Sequence, residues 1–183
     1  MKSRKLFKVC ALLMLAVMSC LLFSGCGGQS EQKKFVITYL PNESTDKNAD
    51  ARKGMAGDLS KVLGMEVTEL VSNDYNAVIE AMRTGKADMA YFGPLSFCLA
   101  YERAGAEPIG MIAKDKDKKN ATYKSVLVTS SKNTDINSIQ DIKGKTMAFV
   151  DPNSTSGNLI PSAAIMKAFP GEKLSMDDLH TNG

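Results

Sequence analysis

Residues 74–93 read DYNAVIEAMRTGKADMAYFG, and the way this stretch divides decides the fold. Asp74 stands ahead of a run in which Val78, Ala81 and Met82 fall on one helical face, and Gly85 ends the run. Asp suits the N-cap because its carboxylate accepts a first-turn N–H, and glycine suits the other end because it tolerates a left-handed backbone. ADMAYFG (87–93) follows at once without helical spacing. A short apolar run of this kind reads as a buried strand. A helix feeding directly into a buried strand is half of a βαβ unit, so the stretch predicts a parallel α/β layer.

The flanking sequence repeats the alternation. FVITYL (35–40), closed by Pro41, and MEVTELV (65–71) read as strands. DARKGMAGDLSKVLG (50–64) has helical spacing and a terminal glycine, and PLSFCLAYERAG (94–105) places Pro94 at the first helical position. EPIGMIAK (107–114) is expected to add a strand. The alternating charges of KDKDKKNATYK (114–124) read as a solvated loop. SVLVTS (125–130) is expected as a strand crossing into a second lobe, NSIQDIKGK (137–145) as a short helix and TMAFVD (146–151) as a further strand. In such a layer, ligands bind at the carboxyl ends of the strands.

TMAFVD runs straight into DPNSTSGNLIP (151–161), where Ser154, Thr155, Ser156 and Gly157 precede an apolar run. A helix start leaves about four N–H groups without intrahelical acceptors, at the positive end of the helix dipole. An oxyanion accepts those groups without any Lys or Arg. Hydroxyls add rotatable donors, and a residue without Cβ lets backbone come close. Two readings of the cluster stand on local sequence, a helix cap and an anion site. Pro161 is expected to kink or tighten the first turn.

The first 25 residues read as a secretory signal. Lys2, Arg4, Lys5 and Lys8 precede VCALLMLAVMSCLLF, and SGCGG follows. FSGC resembles a bacterial lipoprotein box, which implies cleavage before Cys26 and a lipid on its sulfur, with residues 26–34 as a polar tether. The expected location is the extracytoplasmic face of the cell membrane, held by that anchor. The whole chain carries a formal charge of +3, and without the four signal cations the remainder stands at −1. That balance argues against a nucleic-acid partner. Cys10 and Cys20 leave with the signal and Cys26 takes the lipid, so Cys98 alone remains and no internal disulfide is expected. His180, the single histidine, has no Cys/His/Asp cluster around it and reads as a loop residue. No metal and no cofactor are expected.

Taken in order, YLPNES (39–44), DYNAVIEAMRTGKADMAYFGPLS (74–96), YKSVLV (123–128), DIKGK (141–145) and DPNSTSG with LIP (151–161) resemble the substrate-binding components of phosphate/phosphite/phosphonate ABC transporters. The resemblance implies an α/β fold of the type II periplasmic-binding-protein kind, with two lobes built on mixed, mostly parallel sheets. Residues 35–122 would form the first lobe, and residues 123–183 the crossover and the start of a second. That second lobe is expected to be incomplete, because the family's later Gly-His motif and acidic ligand contacts have no counterpart before residue 183. The resemblance places Ser154, Thr155 and Ser156 on the ligand's oxygens and Tyr75, Tyr91 and Phe92 over it from the first lobe. Some relatives carry Trp-Tyr where this chain has Tyr91-Phe92, so the second hydroxyl is absent here. Ser96 is open to two readings, a ligand donor or a plain helix serine. The implied partners are a phosphonate, phosphite or phosphate anion and a membrane permease, with the receptor itself a monomer.

Two other functions compete. A secreted serine hydrolase would need a nucleophile and base, yet no G-x-S-x-G elbow is present and only STDK (44–47) matches S-x-x-K. A sensor or adhesin built on the same receptor fold is the other. The expectation is a non-enzymatic receptor.

Overall fold

The computed structural model describes residues 33–113 and 115–181. The expected signal, Cys26 and most of the tether lie outside the described residues. Residues 34–183 form one compact unit.

Three strands make a parallel sheet. β1 (Phe35–Tyr39) is central, β2 (Val67–Leu70) lies on one side and β3 (Met89–Tyr91) on the other. Phe35 is in register with Val67, and Ile37 with Met89. Parallel neighbours need crossovers, and two helices supply them: α1 (Ala49–Leu63) from β1 to β2, and α2 (Tyr75–Arg83) from β2 to β3. The punctuation read from the sequence operates as expected. Asp74 accepts from Ala77 N at 2.7 Å, and Gly64, closing α1, adopts φ 66°. α3 (Pro94–Ala104) begins at Pro94, whose missing N–H costs nothing in a first turn.

The core lies where α2 and α3 meet the sheet. Ile37, Val78, Ile79 and Ala100 are at most 1% exposed. Phe92 packs against both the Leu40–Tyr75–Val78 cluster and the Ile79–Ala100–Ala106 cluster, joining them.

Three expected strands do not form. Residues 107–113, 125–130 and 146–151 run without a ladder, and Ile109, Val128 and Val150 are exposed. β-branched composition favours an extended backbone, but a strand exists only where a second backbone accepts its N–H groups. Among the described residues no such neighbour lies beside these segments. Residues 139–142 form a single 3-10 turn where a short helix was expected.

The last part of the chain is helical. A π turn (Thr155–Leu159) leads into α4 (Ile160–Ala168), and α5 (Met176–Thr181) follows. Here Pro161 has the opposite effect to the expected tightening. The opening turn is wide, with Leu159 N donating to Ser154 O at 3.0 Å across five residues. His180 is not a loop residue either. It sits on α5 with its ring centroid 4.5 Å from that of Phe149. Among the described residues no helix is long and apolar enough to cross a membrane.

Ile79 is fully buried between α2, α3 and Phe92. Ile79→Ala should therefore cost about 2–5 kcal/mol in denaturant unfolding, the usual range for emptying a closed core site. Val62→Ala, at an exposed α1 position, should stay within about 0.5 kcal/mol of the parent.

Candidate functional site

β1 and β3 are adjacent strands whose chains leave in different directions, and the crevice outside their carboxyl ends is where open α/β sheets bind ligands. From the end of β1 come Asn42 and Glu43. From the end of β3 come Tyr91, Phe92 and Gly93, running into α3. Tyr75 stands at the first turn of α2. The hydroxyl cluster 154–156 closes the same crevice from the other side.

The contact between the two sides is direct. Leu95 N, in the first turn of α3, donates to Thr155 Oγ1 at 2.8 Å. Two helix starts, at Pro94 and at Thr155, are thus brought to one place, each with its first-turn N–H groups and positive dipole end. Gly93 lies beneath them: a Cβ there would stand 3.6 Å from Thr155 Oγ1 and 3.9 Å from the Tyr123 hydroxyl.

Within the cluster, the three residues have separate duties. Ser154 is buried and its Oγ accepts from Gly157 N at 3.1 Å, which caps the turn. The same hydroxyl lies near the Tyr75 phenol and acts to lower its pKa. Thr155 accepts from Leu95. The Ser156 carbonyl accepts from Ser125 Oγ at 2.7 Å, tying the turn to the preceding extended segment. Asn158, almost fully buried, holds the turn's other side by donating to Pro152 O at 2.8 Å.

Gly157 differs from the expectation. The close approach that excludes a Cβ there is made by Val150, whose Cγ2 would lie 2.4 Å away. The glycine lets the turn fold back on residues 146–151, where Val150 N donates to Gly157 O at 3.1 Å.

The aromatics also divide. Tyr75 is 6% exposed and donates to Asn42 Oδ1 at 3.0 Å. Burial pushes its phenol up, the Ser154 hydroxyl opposes that, and the nearby Asp151, Tyr123 and Glu43 add to it. Tyr91 is likewise pushed up by burial and then by Glu43 and Tyr123. Phe92 points into the core. Ser96 is fully buried, accepting from Gly93 N at 3.0 Å and donating to Gly93 O at 3.1 Å. Its single proton is committed, so it shapes the start of α3.

Three neighbours escaped the sequence reading: Asn42, Glu43 and Tyr123. Asn42 and Glu43 immediately follow a predicted strand, which is the one signal that could have found them. Tyr123 sits in the charged segment read as a solvated loop, and nothing local marks it.

Among the described residues no group of His, Cys, Asp and Glu could hold a metal. Ser44 donates to the Tyr39 and Leu40 carbonyls at 3.4 and 3.3 Å, and His180 stands on Phe149, so these two residues do not pair with each other. Two grooves, of about 390 and 430 Å3, lie elsewhere, beside Phe149 and His180 and beside Leu127 and Ile139. The Leu95–Thr155 contact crosses the crevice itself.

A family model described as ABC transporter, phosphonate, periplasmic substrate-binding protein matches residues 37–179. The chain is 31% identical over 157 residues to the phosphate-import protein PhnD of Mycolicibacterium smegmatis, covering 80% of this chain and 49% of that protein. It is 31% identical over 145 residues to the phosphonates-binding periplasmic protein of Escherichia coli, covering 76% and 42%. To the probable ABC transporter phosphite binding protein PhnD1 of Prochlorococcus marinus it is 30% identical over 188 residues, covering 96% and 60%. The chain thus spans about half the length of these relatives. A binding protein component of an ABC phosphonate transporter from Pseudomonas aeruginosa superimposes with a TM-score of 0.63 at 24% identity, over 80% of this chain and 48% of that one. That likeness establishes the fold.

Gly157→Ala should destabilise the protein by about 1–3 kcal/mol, because the new methyl overpacks against Val150. Adding Val150→Ala should recover part of that loss, and a double-mutant cycle by thermal or denaturant unfolding measures the coupling.

Proposed function

This chain belongs to the family of periplasmic substrate-binding proteins of phosphonate ABC transporters, and we propose that it captures a phosphonate, phosphite or phosphate anion outside the membrane and delivers it to a permease. The observation that carries the reading is the meeting of two helix starts at the carboxyl ends of β1 and β3, where Leu95 N reaches the Thr155 hydroxyl. A tetrahedral oxyanion needs several donors arranged around it, and this crevice supplies them from backbone and alcohols.

In this reading Leu95 N exchanges one acceptor for another. The Thr155 hydroxyl oxygen now occupies it. An anion entering the crevice takes that N–H, and Thr155 turns its own proton to the ligand. Opening and closing of the two sides about the connecting segments admits the anion, as hinge closure does in binding proteins generally. Tyr75 and Tyr91 line the first-lobe side, while Phe92 and Ser96 support it from beneath. No step breaks a covalent bond, so the protein acts as a receptor. It works as a monomer tethered through a lipid on Cys26. The support for the tether is the basic, apolar and small-residue order of residues 1–28.

Two measurements on the full-length protein test this. Ser154→Ala with Thr155→Ala should weaken methylphosphonate binding in calorimetry by about 1–3 kcal/mol for each lost bond to charge. Unchanged affinity would remove the cluster from the site. Cys26→Ser should move the protein from the membrane fraction to the soluble fraction of its host, since the acyl anchor would be lost. Retention in the membrane would refute the tether.

A further inference from the structure

The direction of one hydrogen bond in the crevice carries information about the ligand's own protons. Glu43 Oε1 accepts from Asn42 Nδ2 at 2.9 Å, and its Oε2 accepts from Asn48 Nδ2 at 3.1 Å. A carboxylate has no proton to give, so Asn42 must turn its NH2 toward Glu43. That leaves Asn42 Oδ1 facing Tyr75, and an amide oxygen only accepts. The single phenol proton of Tyr75 is therefore donated to Asn42, at 3.0 Å. Toward the crevice Tyr75 presents lone pairs only.

A fully ionised phosphonate has acceptors on every oxygen. Set against Tyr75, it would place lone pair against lone pair. The monoprotonated anion brings one P–OH, which donates to Tyr75 and leaves Ser154, Thr155 and the helix starts for the bare oxygens. We propose that the site selects the monoprotonated form of its oxyanion, with Tyr75 Oη accepting from the ligand's P–OH, and that Glu43 acts as the positioning residue that sets this preference through Asn42. The inference rests on the receptor reading above and adds the protonation state of the ligand.

The surrounding charges point the same way. The titratable groups facing Tyr75 are Asp151, Tyr123 and Glu43, which are two carboxylates and a phenol. A second negative charge on the ligand is disfavoured beside two carboxylates. Arg52 of α1 donates to the Glu43 and Thr45 carbonyls, at 2.8 and 2.7 Å, and forms its ion pair with Glu69 at 2.8 Å, away from the Glu43 carboxylate. Burial keeps Tyr75 itself protonated through neutral pH.

The test is calorimetric titration of the full-length protein with methylphosphonate across the ligand's second ionisation, in buffers of differing ionisation enthalpy. The expected result is an apparent affinity that falls about tenfold per pH unit above that ionisation, with close to one proton taken up per ligand bound there. Saturable binding that is flat or rises with pH, without proton uptake, overturns the inference and leaves the receptor reading standing. No saturable binding at any pH overturns the receptor reading and the inference with it. In Glu43→Gln the new amide can donate to Asn42 Oδ1, freeing Asn42 to donate to Tyr75 and Tyr75 to donate to the ligand. The pH slope should then flatten. A folded Glu43→Gln that keeps the parent slope overturns the role of Glu43. Tyr75→Phe, which removes the acceptor, should also flatten the slope, and an unchanged slope there overturns the role of Tyr75.

Discussion

Parallel strands cannot be joined by tight turns, and that constraint governs everything else in this molecule. Each strand must hand over to a helix at its carboxyl end, so the β1, β2 and β3 exits all emerge on one edge of the sheet. Helix starts, with their unsatisfied N–H groups, gather on that edge as a consequence. Because β1 is central and its neighbours were laid down on opposite sides, a gap opens between the exits of β1 and β3. Asn42, Glu43, Tyr91 and Gly93 are placed around that gap by topology before any side-chain chemistry is considered.

The chemistry suits a reversible carrier. A buried Lys or Arg against a phosphonate would be strongly attracted in a medium of low dielectric. Here the converging groups are amides and alcohols, backed by carboxylates at a distance. Each hydroxyl donates one proton and can rotate, so in the proposed role Ser154 and Thr155 bond the protein in one state and the ligand in another. The π turn belongs to the same arrangement. With Pro161 unable to donate, the first turn of the helix widens, and wide turns of this kind occur often at functional sites. Gly157 makes the widening feasible by letting Val150 come within a distance no Cβ would allow.

Phe92 links the site to stability. It holds two buried clusters together and sits between Tyr91 and Gly93, so the packing of α2 on α3 also sets the position of both crevice residues. Ser96 works similarly: by closing on both polar groups of Gly93 it gives α3 its starting direction and aims Leu95 N at the crevice. Phe92 was expected over the ligand and Ser96 was open to two readings; in this structure Phe92 packs on both clusters and Ser96 is buried against Gly93.

Local pattern was enough for the elements whose partners are near in sequence. Asp74 and Gly85 delimit α2, Pro94 and Gly105 delimit α3, and the apolar runs at 35–40 and 87–93 announce β1 and β3, because caps and periodicity act within a few residues. The Ser154–Gly157 cluster was visible on the same terms, as hydroxyls and a glycine at a helix start. The ladders expected at 107–113, 125–130 and 146–151 were beyond such reasoning, since a strand's hydrogen bonds are supplied by a backbone elsewhere. So were the Leu95–Thr155 bond, the pressure of Val150 on Gly157, and the Glu43–Asn42–Tyr75 relay. Each joins residues whose proximity depends on how separate elements pack, and the direction of a proton in such a relay is decided only once all its members have met.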